Sequence, residues 1–570
     1  MRLLSFNLFI IFIINLGYVN SFLIPTKGLN LFHLQQQQQQ TQQQSIFSTN
    51  LKQTLTTPPP NSFDDWLVFQ KQVCLKSILN NIGGDFTIDN KDLLPGVVIA
   101  SPSTSNPDYY YQWTRDSAII INILIDHLSQ TPLHLINKNS TSSLVYIIES
   151  YIFNTQVLQQ LPNLSGNVDN LENLGEPKFH VNLTAFNESW GRPQRDGPGL
   201  RSIAIMNYLS LLNNTQHQPS FSNLTMNDTS KIYHDIIKPD LKYSIEFWQF
   251  EGFDLWEEIK GIHFFTSLVQ LKSLTMGLKF AQFYNDSFEF RLDIMNSIEL
   301  LTKYIELESG FINNEDSDGD EDNEQQLLSK SYIISSPKLF YAKSRSGLDI
   351  ASILAVLYTH NNNNANDDDD NDFPFDVDNG LVLTTLRYLI QDMTLRYPIN
   401  FQDNFQGVAL GRYPEDIYDG YGKSEGNPWF ISTATASELI YRLIYKLKSN
   451  NQAIIIDQKN IEFYKEFIHS ATETEAQTAN NELKFEAHIN GHPMMIINKD
   501  DKLYDELINK LFHYADGFLK VVQKHVDNNG DMNEQFNKYI GFMQGAEKLT
   551  WSYGAVFTAI NWRNKTLSIL

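Results

Sequence analysis

The chain has 570 residues, 42% of them hydrophobic and 19% charged, which allows a large folded core and excludes overall disorder. Lys and Arg total 43 against 66 Asp and Glu, and the formal net charge of -23 disfavours nucleic acid and anionic membrane as partners, leaving either a neutral or cationic partner or a charge that only maintains solubility. Cys74 is the only cysteine, so no intramolecular disulfide forms and stability has to come from the core.

In chain order, residues 1–21 read as an export signal: Arg2 opens it, an apolar run covers residues 3–16, and Val19-Asn20-Ser21 offers small residues for cleavage. The run is too short to cross a bilayer comfortably, so no stable membrane span is expected, with an uncleaved anchor as the alternative. Residues 22–62 are rich in Gln and end in Pro58-Pro59-Pro60; they read as a disordered leader to one folded domain at residues 63–570. Asn139, Asn163, Asn182, Asn187, Asn213, Asn223, Asn227, Asn285 and Asn564 stand in Asn-x-Ser/Thr sequons, which fits a secreted or luminal protein, either extracellular or in a vacuole-like compartment. Nothing in the sequence demands more than a monomer.

Helical periodicity dominates residues 63–570. Apolar runs at residues 66–82, 118–128, 144–161, 200–212, 232–250, 264–283 and 288–307 predict helices, as do those at 348–358, 381–395, 430–447, 461–471, 503–526 and 551–562. Strands are few. The acidic stretch 315–324 alternates Asp316, Asp318 and Asp320 like a calcium loop, but Glu321 and Leu327 occupy the positions that need Gly and Glu. It reads as a surface loop, like the Asn/Asp tract at 361–372. The sequence offers no metal-ligand cluster and no cofactor fingerprint, so neither is expected.

Alternate helices are preceded by loops dense in aromatic and charged residues. Tyr109 to Asp116, Trp190 to Gly197, Asp254 to Glu258, Gly411 to Asp416 with Trp429, and Asn533 to Gln535 with Trp551 form the series. If inner and outer helices alternate around a ring, these loops gather at one face, which predicts an α/α toroid with a funnel-shaped site. Cleaving a glycosidic bond needs one carboxylic acid and one carboxylate on opposite faces of the sugar. Asp254, Glu257 and Glu258 crowd three carboxylates beside Trp256, and such crowding raises a carboxyl pKa as a general acid requires. Glu534 is a distant carboxylate that the ring returns to the same face. Plainer readings exist for each part: a Glu-Glu pair complements a helix dipole, a Trp before a helix is core, an Arg-Asp pair is structural. They do not explain five such clusters at one topological position.

The motifs Trp113-Thr114-Arg115-Asp116, Ser189-Trp190-Gly191-Arg192-Pro193-Gln194-Arg195-Asp196-Gly197, Asp254-Leu255-Trp256-Glu257-Glu258, Gly411-Arg412-Tyr413-Pro414-Glu415-Asp416 and Leu549-Thr550-Trp551-Ser552-Tyr553 resemble the fungal glucoamylases of glycoside hydrolase family 15, in the family's order and from about residue 63 to 564. The resemblance implies an all-α (α/α)6 barrel and an inverting exo-hydrolase that releases β-D-glucose from the non-reducing ends of α-1,4-glucans. Carried over by position, Glu257 is the general acid and Glu534 the general base, with Tyr109 helping to hold the attacking water. Arg115, Asp116, Arg412 and the Leu255 carbonyl grip the terminal glucose, Glu258 contacts the next sugar, and Trp190 and Trp551 pack the pocket. The inverting pair is expected about 6.5–9.5 Å apart. Lys260 and His263 depart from the filamentous-fungal pattern and are expected to alter the outer subsites. No starch-binding module follows Asn564, so soluble glucans are expected as better substrates than granules. A different glycan, such as trehalose or an α-1,6-linked dextran, and a non-catalytic glycan-binding protein are the alternatives.

Overall fold

The computed structural model describes residues 62–84, 87, 89–90, 92–131, 141–214, 226–313, 331–360, 373–401, 406–472, 487–489 and 492–570. All lie within the unit Thr54–Leu570. The signal and leader up to residue 61, the acidic stretch 315–324, the tract 361–372 and the sequons at Asn139 and Asn223 lie outside the described residues.

The helices in chain order are α1 (Phe63–Asn80), α2 (Thr114–Ser129), α3 (Thr141–Gln159), α4 (Gly197–Asn214), α5 (Met226–Ile232), α6 (Lys238–Phe247), α7 (Phe264–Phe283), α8 (Phe288–Lys303), α9 (Pro337–Tyr341), α10 (Ile350–Thr359), α11 (Gly380–Arg396), α12 (Phe430–Ser449), α13 (Ile461–Thr472), α14 (Lys502–His525) and α15 (Thr550–Leu567). Helices α2, α4, α7, α10, α12 and α15 each pack on the next, and α15 returns to α2, closing an inner ring. Each inner helix carries an outer one: α3 on α2, α6 on α4, α8 on α7, α11 on α10, α14 on α12 and α1 on α15. The fold is the (α/α)6 barrel.

Sequence assigns the two layers. In α12 every residue from Phe430 to Ile444 is buried, as a helix enclosed on all faces requires. Its small residues Ser432, Thr433, Ala434, Thr435 and Ala436 let neighbours approach, and the Thr433 and Thr435 hydroxyls donate to Trp429 O and Ile431 O at 2.9 and 2.8 Å rather than remain unpaired. Outer α14 instead buries Tyr504, Leu507, Ile508, Leu511 and Phe512 at helical spacing and exposes Lys502, Asp505 and Asn509.

Two-residue antiparallel ladders close three of the inner-helix entrances. Strand β1 (Gln112–Trp113) precedes α2 and pairs with β2 (Lys178–Phe179); β3 (Gly252–Phe253) pairs with β4 (Lys260–Gly261) ahead of α7. A three-stranded sheet of β5 (Ile454–Ile456), β7 (His492–Ile497) and β6 (Ala487–Ile489) lies outside this pattern and is too short for alternation to have announced it. Strand β8 (Gln535–Phe536) pairs with β9 (Met543–Gln544) before α15.

Candidate active site

Glu257 stands in the turn between β3 and β4, one residue beyond Trp256. Asp254 builds that turn: its carbonyl accepts from Glu257 N at 2.9 Å, and its Oδ1 accepts from Glu258 N and Ile259 N, both at 2.7 Å. The turn holds Glu257 at φ 67°, the left-handed region that costs a non-glycine residue about 1–2 kcal/mol. Gly191 meets this backbone so closely that a Cβ there would lie 2.9 Å from Glu257 O. The carboxylate is gripped on both oxygens. Trp113 Nε1 and Gln194 Nε2 donate to Oε1 at 2.6 and 2.8 Å, Trp190 Nε1 donates to Oε2 at 2.8 Å, and an Arg115 guanidinium nitrogen is 3.5 Å away.

Glu534 precedes β8, is 1% exposed, and is held differently. Its Oε2 accepts from Tyr418 Oη at 3.2 Å, and Tyr418 Oη lies 3.1 Å from Tyr109 Oη. Burial pushes the Glu534 carboxyl up to about 7, against the opposing pull of Arg412 and of the Tyr109 and Tyr418 hydroxyls. Gly545 at φ 76° closes over it, and a Cβ there would meet Glu534 Oε2 at 2.4 Å. Both carboxylates act on the Tyr109 hydroxyl, whose ring packs edge-on against Trp113 at 5.5 Å. Trp113, Tyr109 and Tyr418 thus connect Glu257 to Glu534.

The remaining expected residues surround this axis. Arg115 bridges Gln194 and Asp196 at 2.8 and 3.0 Å, and its Nε lies 3.4 Å from Asp116 Oδ2. Neither Arg115 Nε nor Asp116 Oδ2 makes a hydrogen bond, although both are buried. Burial pushes Asp116 up to about 6 although Arg115 opposes it. Arg412 binds Asp416 through two nitrogens at 2.8 and 2.6 Å and Glu258 at 2.8 Å, and sits 5.1–5.3 Å from the rings of Trp256, Tyr413, Tyr418 and Trp429. Trp256 stacks on Trp551 at 6.4 Å, and Trp551 Nε1 donates to Tyr358 Oη at 2.7 Å. Leu255 is buried in the same turn as Glu257. Every expected site residue therefore belongs to one constellation at the N-terminal ends of the inner helices.

Three features differ from the expectations raised by the sequence. Glu258 is not raised by crowding: burial works against its charge, but Arg412, Tyr413 and Arg345 outweigh that and hold its carboxyl below the usual range. His263 is buried, with its ring nitrogens 2.8 Å from Ser336 Oγ and 3.2 Å from Gly252 O, so it braces the Glu257-bearing hairpin from behind rather than lining an outer subsite. Finally, the inner helix α10 also has a site loop, although it lacks the aromatic density that marks the others. Arg345 there donates to Glu258 Oε2 and Tyr413 Oη, both at 3.0 Å, and Asp349 caps α10 while accepting from Trp256 Nε1 at 3.0 and 3.1 Å. The sequence signal for this loop is Asp349 as a helix cap before the apolar run at 350–357. Gln194 and Tyr418 are further site residues that sequence reasoning does not assign, although Gln194 lies inside one of the family-like motifs.

Among the described residues no group of three or more His, Cys, Asp or Glu is arranged to hold a metal, and no helix is long and apolar enough to cross a membrane.

A closed double ring of helices, with carboxylates, guanidinium groups and stacked indoles at one mouth, defines a carbohydrate-hydrolysing toroid. Residues 72–561 match glycosyl hydrolases family 15, and the chain belongs to that family. It is 38% identical to a glucoamylase of Saccharomycopsis fibuligera over 88% of this chain and 90% of that one. It is 36% identical to an intracellular sporulation-specific glucoamylase of Saccharomyces cerevisiae over 90% of this chain and 86% of that one. Among solved structures, a Saccharomycopsis fibuligera glucoamylase aligns with a TM-score of 0.76 at 37% identity, covering 90% of this chain and 97% of the other.

Proposed function

We propose that this glycoside hydrolase is a glucoamylase, an exo-acting enzyme that releases β-D-glucose with inversion from the non-reducing ends of α-1,4-glucans such as starch, dextrins, glycogen and maltose. The observation that carries the reading is the pairing of a Glu257 carboxyl held by indole, amide and guanidinium N–H groups with a tyrosine-capped, buried Glu534, joined through Tyr109.

Glu257 donates its proton to the glycosidic oxygen, and the N–H groups around it stabilise the carboxylate left behind. Glu534, ionised, takes a proton from water on the opposite face of the sugar. A raised carboxyl pKa makes it a stronger base once ionised. Tyr109, within the field of both carboxylates, positions that water. Arg115 and Asp116, ion-paired with each other, supply donors and an acceptor for hydroxyls of the terminal glucose, with Arg412 and the Leu255 carbonyl beside them. Glu258, kept ionised by Arg412 and Arg345, faces the next sugar, and the Trp190 and Trp551 indoles pack the pocket.

Residues 63–570 form the catalytic domain in this reading, behind a signal at 1–21 and a leader at 22–62 that route a monomeric enzyme to a secreted or luminal location. Proton NMR of maltoheptaose digestion tests the reaction: early β-glucose with a ladder shortened by single units supports it, and early α-glucose overturns inversion. Glucose from trehalose but not from maltose would transfer the site to another glycan.

A further inference from the structure

Behind the two indoles that hold Glu257 lies an ammonium group to which the hydrolysis assigns no task. Lys178 opens β2, pairs in register with Trp113 of β1, and is 2% exposed. Its Nζ stands 3.3 Å from the ring centre of Trp190, 4.2 Å from Phe186, 4.5 Å from Tyr111 and 4.6 Å from Trp113. Among the described residues no carboxylate reaches it at ion-pair distance and no hydrogen-bond acceptor meets it.

A buried ammonium without an anion at ion-pair distance is costly, and a leucine or methionine would fill this space without that cost. The ring faces offset part of it through cation–π attraction. Burial brings the ammonium down to about 8, with Arg192 pushing the same way and Glu257, Asp108 and Glu188 holding it up. At acid to neutral pH it is charged.

Two of the four caging rings are the ones whose N–H groups donate to Glu257. A cation on the face of an indole draws π-electron density toward itself and leaves the N–H at the ring edge more positive, hence a stronger donor. We infer that Lys178 is a positioning residue for the general acid: its caged ammonium fixes and polarises Trp113 and Trp190, so that their N–H groups orient Glu257 and stabilise the carboxylate it becomes. The inference rests on Glu257 being the acid. Lys178 neither gives nor takes a proton; the proton passes from Glu257 to the leaving oxygen, and burial keeps Lys178 from touching substrate. The other ionisable groups facing Glu257 are Arg115, Asp116 and Tyr109, and none of them lies in the cage.

The test compares kcat and KM for maltotriose across the acid and neutral range in the unaltered enzyme, K178M, K178Q and K178R, with Tm measured for each. K178M is expected to lose about tenfold in kcat with KM nearly unchanged, and the basic limb of its kcat/KM profile should move up by about half a unit to one unit. The sign follows because an acid without a nearby positive charge keeps its proton to higher pH. K178R should return the limb and most of kcat, and K178Q repeats the shift if K178M does not fold. An unmoved limb in a folded neutral variant, or a K178R no better than K178M, reduces Lys178 to packing. E257Q run alongside separates the two claims. Retained turnover in E257Q would sink the acid assignment, whereas a dead E257Q with an unmoved K178M limb sinks only the role of Lys178.

Discussion

Glu257 and Glu534 sit at the same mouth of the barrel and are held in opposite ways. Glu257 lies on a strained turn and meets N–H donors on both oxygens: two indoles, one amide and a more distant guanidinium. Glu534 lies deeper, beside a short ladder, with one tyrosine hydroxyl on its Oε2 and its carboxyl pushed up by burial. The difference matches the proposed roles. A general acid at Glu257 ends its step as a new carboxylate and needs donors waiting for that charge, whereas a general base at Glu534 starts as a carboxylate and gains basicity from burial.

The largest effects test the roles themselves. E257Q and E534Q should each lower kcat on maltotriose by about 10³-fold or more with little change in KM, measured by glucose release. Trp113→Phe removes one donor from Glu257 and leaves Glu534 untouched. A hydrogen bond to a charged group is worth about 1.5–3 kcal/mol, so kcat/KM should fall about 10- to 100-fold; a change under twofold would mean that the grip on Glu257 is redundant. Gly545→Ala presses a methyl on the Glu534 carboxylate and strains a left-handed backbone. We expect at least about a tenfold loss of kcat and about 1–2 kcal/mol of stability, read by kinetics and by urea unfolding. Tyr418→Phe has the smallest effect. Removing a hydroxyl that stabilises ionised Glu534 raises its pKa further, so the acid limb of kcat/KM should move to higher pH by about half a unit while the basic limb stays in place. Movement of the basic limb alone would exchange the two roles.

The barrel is legible in the sequence because its layers differ in pattern. The run of small and apolar residues at 430–437, free of charge, announces an inner helix, and the spaced stripe at 503–526 an outer one. The site is legible where aromatic and charged residues cluster before an inner helix, as at Trp190 or Gly411. It is not legible where a contact depends on distant segments. Lys178 looks like a stray lysine until β2 pairs with β1 and wraps it in four rings. Arg345 and Asp349 precede α10 without an aromatic neighbour, and only folding brings them to Glu258 and Trp256. The three-carboxylate crowding around Glu257 is visible in the sequence, but the guanidinium groups of Arg412 and Arg345 that reverse its effect on Glu258 arrive from other loops.

The split between acid and base is tested most directly with α-D-glucosyl fluoride, whose leaving group needs little protonation. Steady-state turnover of this substrate and of maltotriose should be measured for E257Q and E534Q. The assigned roles predict that E257Q hydrolyses the fluoride at a substantial fraction of the unaltered rate while failing on maltotriose, and that E534Q fails on both. Equal failure of E257Q on the two substrates, or recovery of E534Q on the fluoride, would contradict them.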